Sequence, residues 1–211
     1  MNGELLKNLS ITDFMARTSG IDPVPGGGSV SALCGALAAA LAEMVTGLTI
    51  GRKKYVDAEA EMREIAPRMA DAKDAFLDFI DKDAAAYDEV FSAFKMPKET
   101  DEEKAARARA IQEATLKAAL VPLEVAKRSV AIMDDIKSVA LRGNQNAVTD
   151  ACVAMMCART ACFGAILNVM INLQGLDDKD EAARLTAECA ALRSTAAEKE
   201  VALLTHVNLL P

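Results

Sequence analysis

Pro23-Val24-Pro25-Gly26-Gly27-Gly28-Ser29-Val30, with the apolar run from Val30 to Ile50 that it launches, decides how this chain folds. The two prolines stiffen the approach and set φ. The three glycines allow backbone shapes closed to other residues and let a ligand or a neighbouring helix come close. Ser29 reads as an N-cap, opening a helix at Val30. A Gly-rich loop feeding a helix N-terminus presents free N–H groups and the positive dipole end together, which suits an anion. Glycines in this place also serve tight helix packing, and the stretch alone leaves both readings open. The run itself is 21 residues with one charge, Glu43. That is long enough to span a membrane. Its Ala and Gly content and its amphipathic flanks favour the centre of a helical bundle instead, where a helix is apolar on every side.

Composition agrees with a packed helical domain. Of 211 residues, 52% are hydrophobic but only 4% are aromatic, and there is no Trp. Small side chains bury little area each, so helices must touch closely over long lengths. The net charge of −7 argues against nucleic-acid binding, which needs a basic surface. Cys34, Cys152, Cys157, Cys162 and Cys189 form an odd set with no N-terminal signal pattern before them, which reads as reduced cytoplasmic thiols. Cys152, Cys157 and Cys162 recur every five residues and walk around a helix. With His206 the only histidine, no zinc site is expected.

Around the central helix, residues 1–20 read as a short amphipathic helix capped by Ser10 or Thr12. Arg52-Lys53-Lys54-Tyr55 follows Gly51, and its cations complement a helix C-terminus or receive carboxylates. Residues 56–94 read as a charged helix interrupted near Pro67. Asp81 and Asp83 lie about 200° apart on it, whereas Asp83 and Tyr87 share a face. An acid on the apolar side would be desolvated and its pKa raised, as acid–base work needs. Thr100 and Glu103 have capping-box spacing and open a helix to about Val121. Pro122 kinks it or starts another, ending near Leu141. Arg142-Gly143-Asn144-Gln145-Asn146-Ala147-Val148-Thr149-Asp150 is a second polar loop, before a second apolar helix from Ala151 to Leu173. Asn168 and Asn172 on that helix need partners if buried. Asp177 and Asp178 cap a last helix from Lys179 to Asn208. No stretch alternates with period two, so the chain is expected to be all-α, a single domain over residues 1–211. There is no repeat, low-complexity tract or linker.

The Gly-rich loop is neither a P-loop nor a dinucleotide fingerprint, since no Gly-Lys-Ser/Thr follows and no strand precedes it. Ser29 lacks a histidine to activate it. A cleft joining the two polar loops, the basic triplet and an acid near Asp83 is the remaining functional reading.

Several pieces occur together and in order: Pro-x-Pro-Gly-Gly-Gly-Ser-Val, Leu48-Thr49-x-Gly51-x-Lys53-Lys54-Tyr55, Asp81-x-Asp83-Ala84-x-Ala86-Tyr87, Pro122-Leu123, Gly143-Asn144-x-Asn146-x-x-x-Asp150 and Leu167-Asn168-Val169-x-Ile171-Asn172. In them the chain resembles the formiminotetrahydrofolate cyclodeaminase / methenyltetrahydrofolate cyclohydrolase family, from about residue 12 to 176. Arg52 stands where Lys is usual and Thr149 where Ser is usual, which preserves a charge and a hydroxyl. The formiminotransferase domain of the animal bifunctional enzyme is not in this sequence, which reads as the stand-alone form.

The resemblance implies an all-helical homodimer that holds a tetrahydrofolate derivative as substrate, with no tightly bound cofactor, no metal, and neither nucleic acid nor membrane as partner. It implies closure of 5-formiminotetrahydrofolate to the 5,10-methenyl form with loss of ammonia. The family's alternative is hydrolysis of that bridge to 10-formyltetrahydrofolate. It places the proton shuttle at Asp83, with Asp81 second. It also implies ligand contacts from Gly26, Gly27, Gly28, Ser29, Lys53, Lys54, Tyr87, Asn144, Asn146 and Asp150, with the two lysines on the glutamate tail. The rival classes are a non-catalytic helical scaffold, in which the glycines serve packing alone, and a family member acting on another one-carbon or amino-acid substrate.

Overall fold

The computed structural model describes residues 5–209, and among these the chain is all-α. The helices are α1 (Ile11–Thr18), α2 (Gly27–Thr49), α3 (Glu59–Phe94), α4 (Asp101–Ala131), α5 (Met133–Arg142), α6 (Val148–Leu173) and α7 (Lys179–Val207). Short 3-10 turns occupy Leu6–Asn8, Lys53–Ala58 and Gln145–Ala147. The expected first helix is thus a turn followed by α1, whose cap is Ser10, accepting from the Asp13 N–H. Residues 1–4 of that expectation lie outside the described residues.

α2 is the centre of the bundle. Ala32, Ala36, Ala38, Ala39, Ala42 and Val45 are buried along it. α3 runs antiparallel on one side, as a chain of contacts shows. Gly28 faces Asp83, Gly35 faces Phe76, Lys73 pairs with Glu43 at 2.6 Å, and the Gly51 N–H reaches Glu59 at 3.2 Å. α6 is antiparallel on the other side, with Gly27 against Asn168, Gly164 against Ser31, and Thr49 bonded to Asn144. Close approach is what an aromatic-poor core demands, since contact length must replace side-chain size.

Gly35 makes that approach concrete. A Cβ there would lie 2.6 Å from Cδ1 and Cε1 of the fully buried Phe76. Overpacking of this kind costs about 1–3 kcal/mol, against a gain of up to about 1 kcal/mol in helix propensity. Gly35→Ala is therefore expected to lower the urea midpoint.

Four helix boundaries differ from expectation. α2 begins at Gly27, with Gly26 as N-cap, so Ser29 is inside the first turn and not the cap. Its side chain is drawn to α3, as described below. α3 is continuous through Pro67, and α4 through Pro122; the break falls instead at Ile132. A proline ring costs a helix one hydrogen bond. The buried series Met62, Ile65, Met69, Phe76 and Ile80 continues in helical phase on both sides of Pro67, which is itself exposed. Packing on that face holds the helix together. α6 begins at Val148, three residues before the expected start.

α2 and α6 each keep one apolar face uncovered. Leu37, Met44 and Leu48 are exposed on α2, and Val153, Met156, Leu167 and Ile171 on α6, with Leu167 71% and Ile171 61% accessible. Both helices are long and apolar enough to cross a membrane, yet about half of each apolar window is packed inside this chain.

Candidate active site

At the N-terminal end of α2, the glycine loop meets Asp83. The Ser29 hydroxyl donates to Asp83 Oδ2 at 2.9 Å and lies 3.1 Å from the Ile80 carbonyl. The Ser29 backbone N–H also donates to the carboxylate. Gly28 is the reason the acid can come so close: a Cβ there would sit 2.0 Å from Asp83 Oδ1 and 2.7 Å from Oδ2. A carboxylate therefore rests on the first turn of a helix, the anion position foreseen for a ligand. Burial raises the Asp83 pKa, and the two Ser29 hydrogen bonds oppose the rise without cancelling it. The result is a held carboxyl with a raised proton affinity, as a group that must both accept and donate requires. Tyr87 lies one turn along α3 and is exposed, its ring near-parallel to Phe91 at 6.4 Å between centroids.

Asp81 does something else. Its Oδ1 accepts the Leu6 N–H at 2.6 Å, and Lys7 pairs with Asp78. These acids strap the N-terminal segment to α3, as expected from the wide angle between Asp81 and Asp83.

The remaining predicted contacts gather at the opposite end of α2. The Asn144 N–H donates to Thr49 Oγ1 at 2.9 Å and its Nδ2 to the Leu48 carbonyl at 3.2 Å. Tyr55 donates its hydroxyl to Asn144 Oδ1 at 3.3 Å and accepts the Gln145 N–H at 3.0 Å. Asn144 Oδ1 also accepts the Asn146 N–H. Asn144 thus pins the second polar loop to the end of α2, while Asn146, Lys53 and Lys54 stay exposed. The Lys54 ammonium lies 5.3 Å from the Tyr55 ring centroid. Asp150 is partly buried in the first turn of α6. A helix of this length is about 33 Å long. Asp83, Ser29 and the glycines therefore form one group and Lys53, Lys54, Asn144, Asn146 and Asp150 another, with α2 between them.

Asn168 joins the Asp83 group, a placement that its sequence pattern alone did not supply. Its Nδ2 donates to the Gly164 carbonyl at 2.8 Å and lies 3.3 Å from where a Gly27 Cβ would be. Asn172 donates to the carbonyls of Ala118 and Asn168 at 2.9 Å, tying α6 to α4. The cysteines offer no ready nucleophile. Burial pushes Cys162 up to about 12, with Cys189 adding to it, and raises Cys34 as well. Among the described residues, no three His, Cys, Asp or Glu side chains are placed to hold a metal ion.

Comparison with known proteins bears on this arrangement directly. Residues 10–191 match the profile of the formiminotransferase-cyclodeaminase family. The chain belongs to that family. A methenyltetrahydrofolate cyclohydrolase of Methylorubrum extorquens is 41% identical over 172 residues, 82% of this chain and 83% of that protein. The formimidoyltransferase-cyclodeaminase of Mus musculus is 36% identical over 173 residues, and the match spans 32% of its length. The crystal structure of a formiminotetrahydrofolate cyclodeaminase from Thermotoga maritima superposes with a TM-score of 0.82 at 28% identity, covering 96% of this chain and 98% of that one. The formiminotransferase-cyclodeaminase match takes in both ends of α2 and all of α6, so both polar groups lie inside it.

Proposed function

We propose that the protein acts on the one-carbon bridge between N5 and N10 of tetrahydrofolate, with the folate as substrate and not as a resident cofactor. The carrying observation is Asp83, a partly buried carboxyl of raised pKa fixed by Ser29 at the glycine loop. In the first reading the substrate is 5-formiminotetrahydrofolate. The formimino group enters protonated, as an amidinium. N10 attacks its carbon, Asp83 accepts the N10 proton and passes it to the departing NH2 group, which leaves as ammonia while the positive charge stays on the methenyl bridge. One carboxyl of raised proton affinity serves both transfers. The second reading is hydrolysis of the 5,10-methenyl bridge to the 10-formyl compound, where Asp83 takes a proton from water and returns it to N5. The length-matched relative at 41% identity supports it. The test is a spectrophotometric assay with both substrates side by side. Growth of the methenyl band with ammonia release identifies the first reaction, and decay above the blank the second. If neither folate reacts nor binds, the scaffold reading takes over.

A second copy completes this reading. The open faces of α2 and α6 are apolar along their length, and contiguous exposed apolar surface of this kind marks an interface. A two-fold contact through antiparallel copies of α2 would bring one chain's Lys53, Lys54 and Asn144 towards the partner's Asp83. We place such a homodimer in the cytoplasm, in keeping with five cysteines that are all free.

In this arrangement the partner's lysines meet the outer carboxylates of a polyglutamate tail. The double variant Lys53→Ala/Lys54→Ala is expected to raise KM for a polyglutamyl substrate by roughly tenfold or more, the loss of one charge-assisted contact or so. The tetrahydropteroate form, which has no glutamate, should be unaffected. Equal loss on both would refute the tail assignment.

A further inference from the structure

The aromatic residues of this chain are few and unevenly placed. There are eight, six Phe and two Tyr. Phe14, Phe76 and Phe79 are in the core, whereas Tyr87, Phe91 and Phe94 are exposed within the last turns of α3. Tyr87 and Phe91 continue the line of Asp83 at four-residue steps, so all three lie along one stripe of the helix. Lys95 is the next step, and its ammonium lies 3.9 Å from the Phe91 ring centroid. The neighbouring cation is already engaged: Arg107 donates to the Phe94 carbonyl through Nε at 3.3 Å and a terminal nitrogen at 3.1 Å. Lys95 makes no ion pair among the described residues, and only the ring beside it holds it in place.

We infer that Tyr87, Phe91 and Lys95 form a binding track for the p-aminobenzoyl-glutamate part of the substrate, in the same chain as Asp83. The inference rests on the folate reading above. The order along the helix matches the order of groups along such a ligand. Asp83 stands at the reacting carbon, an aromatic platform follows one and two turns on, and a cation comes after it. Phe91 lies about 12 Å of helix axis from Asp83. The Lys95 ammonium reaches back over that ring, so its charge stands at about the same distance. A flat aromatic amide gains from stacking on an exposed ring pair, and a carboxylate gains a charge-assisted hydrogen bond from an ammonium with no other partner. This track also divides labour with the basic triplet. Lys53 and Lys54 are at the far end of α2 and serve outer glutamates only through a second copy, whereas Lys95 serves the first glutamate in its own chain.

The experiment is steady-state kinetics on the full chain with two substrates that differ only in the glutamate, in the tetrahydrofolate and tetrahydropteroate series. Lys95→Ala is expected to raise KM for the glutamyl substrate roughly tenfold or more, with the penalty absent on the pteroate. Lys95→Arg should restore most of the affinity. Phe91→Ala is expected to raise KM for both, because both carry the benzoyl ring. An equal penalty on the two substrates for Lys95→Ala, or none on either, overturns the inference. So does a change of mass in solution for Phe91→Ala, which would make the aromatic row a subunit contact. A wild-type protein that turns over neither series overturns the folate reading, and this inference with it.

Discussion

Asp83→Asn should lower turnover by a factor of about 10² to 10⁴, the range general acid–base catalysis supplies, while folate binding survives. Asparagine keeps the size and an acceptor for the Ser29 hydroxyl and N–H, so the α2–α3 contact persists. It cannot carry the proton. The same variant should be more stable than the parent at neutral pH. Burial raises the Asp83 pKa above its ordinary 3.8, so the folded state binds this proton more tightly than the unfolded state does. Stability from that proton is full below 3.8 and is lost as pH rises through the folded value. Above that value the ionised carboxylate weighs against folding, and asparagine removes the weight. Urea midpoints measured across pH should show the variant ahead at pH 7 and the gap closing as pH falls towards 4. The parent's activity should fall off on the acid side, as the carboxyl stays protonated and can no longer accept. Near-normal turnover of Asp83→Asn would remove this residue from the chemistry. A gap that grows on acidification would contradict the burial account.

Gly28→Ala should approach the same loss by a different route. The added methyl would meet three atoms of one carboxyl, at 2.0 Å from Oδ1, 2.5 Å from Cγ and 2.7 Å from Oδ2 of Asp83. The carboxyl must move, and it moves away from both Ser29 donors. A displacement of about 1 Å at a reacting group can cost about 10²-fold in rate. Stability is less affected than at Gly35, because the atoms in the way are the end of a partly buried side chain that can swing aside and not a fully enclosed ring. Gly35→Ala provides the contrast. Its clash is with the Phe76 ring, seven residues along the same helix and away from the acid. Gly35→Ala should lower the urea midpoint and keep most of its turnover, whereas Gly28→Ala should lose turnover with the smaller change in midpoint. If both variants lose turnover equally, the effect is general loosening of the α2–α3 contact and not displacement of the carboxyl.

The difference between these two glycines was not visible in the chain alone. Gly28 and Gly35 both read as small residues in an apolar run, and the loop left packing and ligand binding as equal possibilities. The structure shows Gly28 permitting close packing, and what packs there is the acid itself. Similarly, the expected cap role of Ser29 rested on local propensity. The tertiary contact with α3 draws its hydroxyl to Asp83 and Ile80, and Gly26 takes the cap.

Much was determined by sequence alone, because periodicity and capping are local properties of the chain. The all-α class, the two apolar helices, the Thr100–Glu103 capping box, the Asp178 cap and the separation of Asp81 from Asp83 all follow from residue spacing. Other features belong to the tertiary structure alone. Continuity through Pro67 and Pro122 depends on a buried face that outweighs one lost hydrogen bond. The division of the polar residues between the two ends of α2 depends on the antiparallel stacking of α3, α2 and α6. Sequence order brings the Gly26–Ser29 loop, Lys53 and Asn144 into one list. Only the packing of rigid helices about 33 Å long decides which of them can reach the same carbon atom.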